Sequence, residues 1–146
     1  MKYTVKYLTP ALLFILLLSG TSCKKQTVCN GVPNVSVYFQ VDLSFGTNTS
    51  LTPVGNNETF SGGNGNVIVY HYTSGQFYAY DCTCPYDGSN SKARVSATQG
   101  GLYAVCPVCG SSFLLSSGSP NKGPSTCPLK AYNTSYDGTS TVTVQN

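Results

Sequence analysis

Hydrophobic and polar positions along this chain follow the period of β-strands. Val35–Leu43 alternates for most of its length, and Val67–Tyr72 is a run of β-branched and aromatic residues. Successive side chains of a strand point to opposite faces, so these patterns predict strands with a buried face. The segments between them are rich in Gly, Asn and Ser, which favour turns. No stretch after the first residues shows a convincing helical pattern, and the predicted fold class is all-β.

Two pairs of strands are predicted to form hairpins. Val67–Tyr72 and Gln76–Tyr80 are joined by Thr73-Ser74-Gly75, and Lys130–Tyr136 is joined by Asp137-Gly138 to the run from Thr139 to Val144. Asp-Gly between two alternating runs is a strong hairpin signal. Two shorter strands are predicted at residues 101–105 and 113–115. The sheet is therefore expected to be antiparallel.

The first 22 residues predict an export signal. Lys2 and Lys6 precede an apolar run at residues 11–18, and small residues lead to Cys23. This run is shorter than the ~20 residues of a membrane span. The arrangement resembles a bacterial lipoprotein signal, although Gly20 stands where Leu is usual; the alternative is an ordinary secretory signal. The resemblance implies a signal peptide at 1–22, lipidation of Cys23, a lipidated tether at 23–33 and a domain at 34–146.

The expected location is therefore the bacterial cell envelope, with an acyl anchor in the lipid bilayer and the domain facing the periplasm or the cell exterior. Charged residues make up 9% of the chain, and its formal net charge is +3. No basic stripe is present, which argues against nucleic acid as a partner. The one histidine, His71, is expected to be a half-exposed strand residue. Because no nucleophile has a base nearby in the sequence, the chain is predicted not to be an enzyme.

Four cysteines occur as two close pairs. Cys82-Thr83-Cys84 begins the first hook (residues 82–88), and Cys106-Pro107-Val108-Cys109-Gly110 forms the second hook (residues 106–110). Two short thiol loops are a common way to hold a tetrahedral metal ion or an iron–sulfur cluster. Cys-Pro-x-Cys-Gly also occurs in zinc ribbons. An exported protein meets an oxidising compartment, so disulfides between these thiols are a third possibility.

The order of these elements resembles the Rieske iron–sulfur domain. The first hook continues as Cys84-Pro85-Tyr86-Asp87-Gly88, and the second continues through Ser111 to Phe113. A Gly- and Pro-rich loop and a closing hairpin follow, as in that family. The resemblance covers residues 34–146. It implies a Rieske-like antiparallel β-sandwich with a small two-loop cluster- or metal-binding subdomain at about residues 82–115.

The chain departs from that family at the histidine ligands. Cys109 occupies the position of the second histidine, and either Cys84 or Tyr86 occupies that of the first. The favoured ligand set is Cys82, Cys84, Cys106 and Cys109, with Tyr86 as the alternative to Cys82. The expected cofactor is a [2Fe–2S] cluster of low potential, because thiolates replace imidazoles. The alternatives are Zn²⁺, or no metal and disulfides.

These features predict a membrane-anchored electron-transfer module with an unidentified redox partner. The alternative is a non-redox β domain, held by structural zinc or disulfides, that acts as a binding or envelope component. By resemblance, Cys127 lies in the loop beside the cluster. Cys29 and Cys127 are the two cysteines that remain outside the hooks and the lipidation site, and two remaining cysteines in an exported domain suggest a disulfide. A free thiol or a fifth ligand at Cys127 is the other possibility.

Overall fold

The protein folds into two antiparallel sheets. The computed structural model describes Cys29 and residues 31–44, 46–98 and 100–146 of the chain. A 3₁₀ helix covers Gly46–Leu51. The strands are β1 (Tyr38–Asp42), β2 (Asn57–Phe60), β3 (Val67–Thr73), β4 (Gln76–Asp81), β5 (Tyr103–Val105), β6 (Ser112–Leu114), β7 (Pro120–Lys122), β8 (Ala131–Tyr136) and β9 (Thr141–Gln145).

Six strands form the larger sheet, in the order β1-β9-β8-β4-β3-β2, and β5-β6-β7 form the smaller one. Every pairing between named strands is antiparallel. The two predicted hairpins are β3–β4 and β8–β9. In the first, Val67 pairs with Asp81 and Tyr70 with Tyr78, and the register shifts between His71 and Thr73. The prediction of an all-β antiparallel fold is confirmed.

Strand β3 is buried on both faces. Ile68 and Tyr70 belong to one core cluster, which includes Phe113 and the hook cysteines. Val67 and Val69 belong to the other, which lies among β1, β8 and β9. A strand covered on both sides needs apolar residues at every position, which explains the continuous run in the sequence. The core that contains the hooks therefore shares a strand with the core of the large sheet.

Three local features differ from the sequence predictions. The 3₁₀ helix was not expected. Strand β2 begins at Asn57, which was predicted to lie in a turn, and β7 lies in the predicted Gly- and Pro-rich loop. Each of β2 and β7 is short and polar, and its pairing with β3 or β6 decides its conformation more than its own residues do. The small sheet also extends to Lys122, beyond the expected limit of about residue 115.

The predicted signal peptide, Cys23 and most of the tether lie outside the described residues. Within the part of the chain that the structure describes, no helix has the length and apolar character needed to cross a membrane.

Candidate metal centre

The first hook continues the extended backbone of β4. The Cys84 N–H donates to the Ala93 carbonyl at 2.9 Å, and the Val95 N–H donates to the Cys82 carbonyl at 2.7 Å. These bonds form an antiparallel bridge between Thr83 and Arg94. The backbone at Cys82 and Cys84 is thus fixed on both sides of Thr83.

The second hook is a tight turn between β5 and β6. The Gly110 N–H donates to the Cys106 carbonyl at 2.9 Å, and the Cys106 N–H donates to the Ser111 carbonyl at 2.9 Å. Gly110 has a φ of 73°, a conformation that glycine adopts without steric cost. The turn places Cys106 and Cys109 on one side of the loop.

Three thiols from the two hooks converge. The Sγ atoms of Cys84, Cys106 and Cys109 all lie within 4.8 Å of one another, and those of Cys84 and Cys109 are 3.7 Å apart. Cys84 and Cys106 are fully buried, whereas Cys109 is partly exposed. The three sulfurs therefore form a cluster, the thiol triad, that approaches the surface at Cys109.

Hydrogen-bond donors surround the sulfurs of the triad. Burial raises the pKa of Cys84 to about 12, and the Tyr86 N–H acts against this by donating to its sulfur. Burial also acts to raise the pKa of Cys109, but its hydrogen bonds with the Ser111 side chain and the Ser111 N–H, together with those of the two neighbouring thiols, lower it overall. The Ser111 Oγ lies 3.2 Å from the Cys109 Sγ and accepts from the Ser125 N–H at 2.9 Å.

The fourth predicted cysteine does not join the triad. Among the described residues, the group of thiols within 4.8 Å of one another contains Cys84, Cys106 and Cys109 but not Cys82. Cys82 lies two residues before Cys84 on extended backbone, so its Cα is about 7 Å away. It packs in the core next to Ile68. Burial, and then the Asp81 carboxylate, raise the pKa of Cys82 to about 12.

Tyr86, the alternative to Cys82, lies on the surface of the first hook, where its side chain is 59% exposed. Val108 of the second hook is also exposed, at 47%. Each hook thus presents one large side chain to solvent beside the triad.

A buried carboxylate anchors the base of the first hook. Asp81 is fully buried. Its Oδ1 accepts from the Thr83 N–H at 2.8 Å, and its Oδ2 accepts from the Asn64 N–H and the Tyr132 hydroxyl, each at 2.7 Å. Burial acts to raise the pKa of Asp81, but these donors lower it overall. The carboxylate ties the β2–β3 turn, the first hook and β8 together.

The segment before β1 crosses the first hook. Cys29 and Cys127 form a disulfide with a Cα–Cα distance of 5.5 Å. A Cβ added at Gly31 would lie 2.7 Å from the Pro85 carbonyl oxygen, and one added at Gly88 would overlap the Gly31 carbonyl oxygen. We call Cys29 and residues 31–33 the strap. The strap is bonded through Cys127 to the Gly- and Pro-rich loop and is packed against the first hook.

His71 lies at the far end of β3 from the hooks. The expectation that it is half-exposed is wrong: only 8% of its surface is exposed. Its ring stacks on Phe77 with a centroid distance of 4.2 Å. The 3₁₀ helix, which has no sequence signal, reaches this ring, since the Leu51 carbonyl oxygen lies 3.1 Å from its Nδ1.

Several solved structures are similar to this one. A chain of the complex of reduced oxygenase and oxidized ferredoxin in carbazole 1,9a-dioxygenase has a TM-score of 0.51 and 24% identity, covering 75% of this chain and 93% of that one. The ferredoxin of carbazole 1,9a-dioxygenase from Nocardioides aromaticivorans IC177 has a TM-score of 0.51 and 21% identity, with coverage of 76% and 97%. The E. coli protein NirD has a TM-score of 0.47 and 20% identity, with coverage of 77% and 98%.

No protein-family model matches the chain, and no curated protein matches its sequence significantly. The fold prediction, an all-β Rieske-like domain, is confirmed by the two structures with a TM-score of 0.51.

Proposed function

We propose that this chain is a Rieske-like electron-transfer protein whose iron–sulfur centre is held by Cys84, Cys106 and Cys109. The observation that carries the proposal is the convergence of these three sulfurs within 4.8 Å, in a fold shared with a ferredoxin. Thiolates are the usual ligands of iron–sulfur clusters, and hydrogen bonds to sulfur tune their potential. The donors from Tyr86 and Ser111 supply such bonds.

The residues fit a [2Fe–2S] cluster once a fourth ligand is supplied. Such a cluster takes four protein ligands, and the triad provides three. We propose the Tyr86 phenolate as the fourth, because Tyr86 follows Cys84 by two residues on the same hook and its side chain is not held in the core. Cys82 fits this role less well, since it lies outside the triad and packs in the core.

The cluster would supply one-electron transfer, and the chain's own residues would hold it and limit its contact with water. Cys84 and Cys106 are buried among apolar residues, whereas the partly exposed Cys109 is the side from which an electron would enter or leave. Anionic ligands in place of two histidines favour a potential nearer the approximately −400 mV of plant-type ferredoxins than the range of about −150 to +300 mV of Rieske centres.

This proposal can be tested on anaerobically purified full-length protein. Its iron and sulfide contents are measured, and its absorbance and EPR spectra are recorded. We expect two irons and two sulfides per chain in the [2Fe–2S] state. Cys84→Ser and Cys106→Ser should lose the iron, and Tyr86→Phe should lower its occupancy or change the spectrum. Cys82→Ser is the matched control and should keep the iron. Iron-free protein refutes the proposal, and iron loss in Cys82→Ser would return Cys82 to the ligand set.

A structural zinc site is the second candidate. Two thiolates bound at 2.3 Å to one tetrahedral ion lie about 3.8 Å apart, and the Cys84 and Cys109 sulfurs are 3.7 Å apart. In that case the chain is a non-redox binding or envelope component. The same elemental analysis separates the two: one zinc without iron supports this candidate. Absence of both metals with no reactive thiols would instead indicate disulfides between the hooks.

We also propose that Cys23 is acylated and that the protein is held at a membrane of the cell envelope, where its redox partner is yet to be identified. The support is the apolar run at residues 11–18 followed by small residues and a cysteine. Mass spectrometry of the N-terminal peptide should show a diacylglyceryl cysteine. Cys23→Ser should release the protein from the membrane fraction, and an unmodified Cys23 in membrane-bound protein would contradict the proposal.

A further inference from the structure

An exposed apolar surface lies on the small sheet beside the second hook. Tyr103 and Val105 of β5 are 41% and 44% exposed, whereas Ala104 between them is fully buried. Because alternate residues of a strand point to the same side, Tyr103 and Val105 share the outer side of this sheet. Leu114 of β6 pairs with Tyr103 and is half-buried, so it lies on the same side. We call these three residues, with the exposed Val108 at the tip of the second hook, the apolar face.

Charged residues occur only at the margin of the apolar face. The sequence between Arg94 and Lys122 contains no Asp, Glu, Lys or Arg. Val105 pairs with Ser112, and Ser112 pairs with Lys122, so one row of side chains leads across the sheet to an exposed lysine. Tyrosine rings are enriched at the level of lipid headgroups, and lysine keeps its ammonium in water beside apolar surface. This composition suits the surface region of a bilayer.

The charges of the domain are unevenly distributed along its length. In the part of the chain that the structure describes, every basic residue lies on a segment that pairs with a hook or with the strand beside it: Lys92, Arg94, Lys122 and Lys130. At the opposite end, Asp42 pairs with Thr141 next to the β8–β9 turn, which contains Asp137. Besides the buried Asp81, Asp87 is the acidic residue of the hook end. A charge distribution of this kind turns the hook end toward a negative surface.

The strap brings the proposed lipid to the hook end of the domain. Cys29 is bonded to Cys127, whose carbonyl accepts from the Ser125 hydroxyl at 3.0 Å. The Ser125 N–H donates at 2.9 Å to the hydroxyl of Ser111, the residue that follows the second hook. Cys29 is only six positions from Cys23. A lipid on Cys23 would therefore keep the second hook, and the apolar face beside it, close to the bilayer.

We propose that the apolar face rests in the headgroup region of an anionic bilayer, with Tyr103, Val105 and Val108 in contact with lipid and Lys122 beside lipid phosphates. The proposal rests on the acylation of Cys23, because a tether supplies the high local concentration of lipid that a small apolar surface needs in order to bind. It adds a second contact with the membrane. The acyl chain holds the domain at the bilayer, and the apolar face determines which side of the domain meets it.

The chain contains no tryptophan, so one introduced tryptophan reports contact with lipid without background. Tyr103→Trp places it in the apolar face. Val54→Trp is the matched control, because Val54 is also exposed and lies by the β3–β4 and β8–β9 turns. Each acylated full-length variant is reconstituted into vesicles of phosphatidylglycerol and phosphatidylcholine, the latter brominated near the glycerol end of its acyl chains. We expect bromine to quench the fluorescence of Tyr103→Trp several times more strongly than that of Val54→Trp.

The degree of acylation, measured by mass spectrometry on the same samples, separates two kinds of failure. Equal quenching of the two variants in acylated protein overturns the proposal and assigns the apolar face to a protein partner. Protein without the acyl group overturns the anchor, and with it the docking that depends on the anchor.

A change of charge tests the contact of Lys122 with lipid. In the Tyr103→Trp background, Lys122→Glu should lower the ratio of docked to undocked molecules on phosphatidylglycerol vesicles by roughly fivefold or more, since one basic residue near an anionic surface contributes about that factor. Vesicles of phosphatidylcholine alone carry no net charge and are the control, on which Lys122→Glu should have no effect. Unchanged quenching on the anionic vesicles would overturn the contact of Lys122 with lipid.

Discussion

Replacing Asp81 by Asn should destabilise the protein strongly although the two side chains have nearly the same shape. Three donors reach the carboxylate, from Thr83, Asn64 and Tyr132, at 2.7 to 2.8 Å. Asn has one acceptor oxygen, and its amide group would face at least one of these donors. A hydrogen bond to a charged group contributes about 1.5–3 kcal/mol, and a neutral one about 1 kcal/mol. One bond lost and two weakened predict a loss of about 3 kcal/mol in the free energy of unfolding.

The pH dependence of this effect follows from the lowered pKa of Asp81. A carboxyl whose pKa is lower in the folded than in the unfolded state stabilises the fold above its unfolded pKa, about 3.9. This stabilisation is lost as the pH falls through the folded pKa. The difference between wild type and Asp81→Asn should therefore be full at pH 7 and narrow below about pH 4.

Urea unfolding of the full chain, followed by tyrosine fluorescence, measures both effects. Tyr132→Phe is the matched variant, since it removes one donor but keeps the charge, and it should lose about half as much stability as Asp81→Asn. A loss in Asp81→Asn below about 0.5 kcal/mol, the level of an ordinary surface substitution, would refute the reasoning. A stability difference between wild type and Asp81→Asn that is the same in neutral and acidic solution would also refute the reasoning.

Two pairs of substitutions test the strap. Cys29→Ser removes a disulfide between residues 98 positions apart and should lower the free energy of unfolding, measured in urea, by about 4–5 kcal/mol from chain entropy. Cys127→Ser should cause the same loss, and unequal losses would contradict a disulfide between the two residues. Gly88→Ala should destabilise the protein because the added methyl overlaps the Gly31 carbonyl oxygen; Gly123→Ala, whose methyl would meet nothing closer than 3.8 Å, is the control. Equal melting temperatures for the two alanine variants would show that the strap is not packed as described.

The sequence predicted the parts of the fold that depend on local pattern. The hairpins β3–β4 and β8–β9 have alternating or β-rich strands around a short turn, and the structure has both. Strands β2 and β7 could not be predicted, because Asn57–Phe60 and Pro120–Lys122 are short and each begins with a residue that is depleted in strands. Their neighbours supply the hydrogen bonds that make them strands.

The candidate site depends on contacts that sequence spacing describes only in part. The spacing of the cysteines identified both hooks, and the structure brings Cys84, Cys106 and Cys109 together. Along extended backbone, Cys82 and Cys84 are on the same side but about 7 Å apart, so adjacency in sequence does not place both at one point. Asp81 and His71 carried no sequence signal of burial, since the groups that enclose them come from distant segments such as residues 64, 132 and 51.

The strap limits how the domain can be oriented if Cys23 carries a lipid. Cys29 follows Cys23 by six positions, which at full extension span about 21 Å. Because Cys29 is bonded to the loop beside the first hook, the lipid would be attached near the hook end of the domain through a short linker. An acylated molecule would then hold its triad within a few nanometres of the headgroups. Electrons would be exchanged at the membrane surface, and the end of the large sheet that carries the β3–β4 and β8–β9 turns would face away from the bilayer.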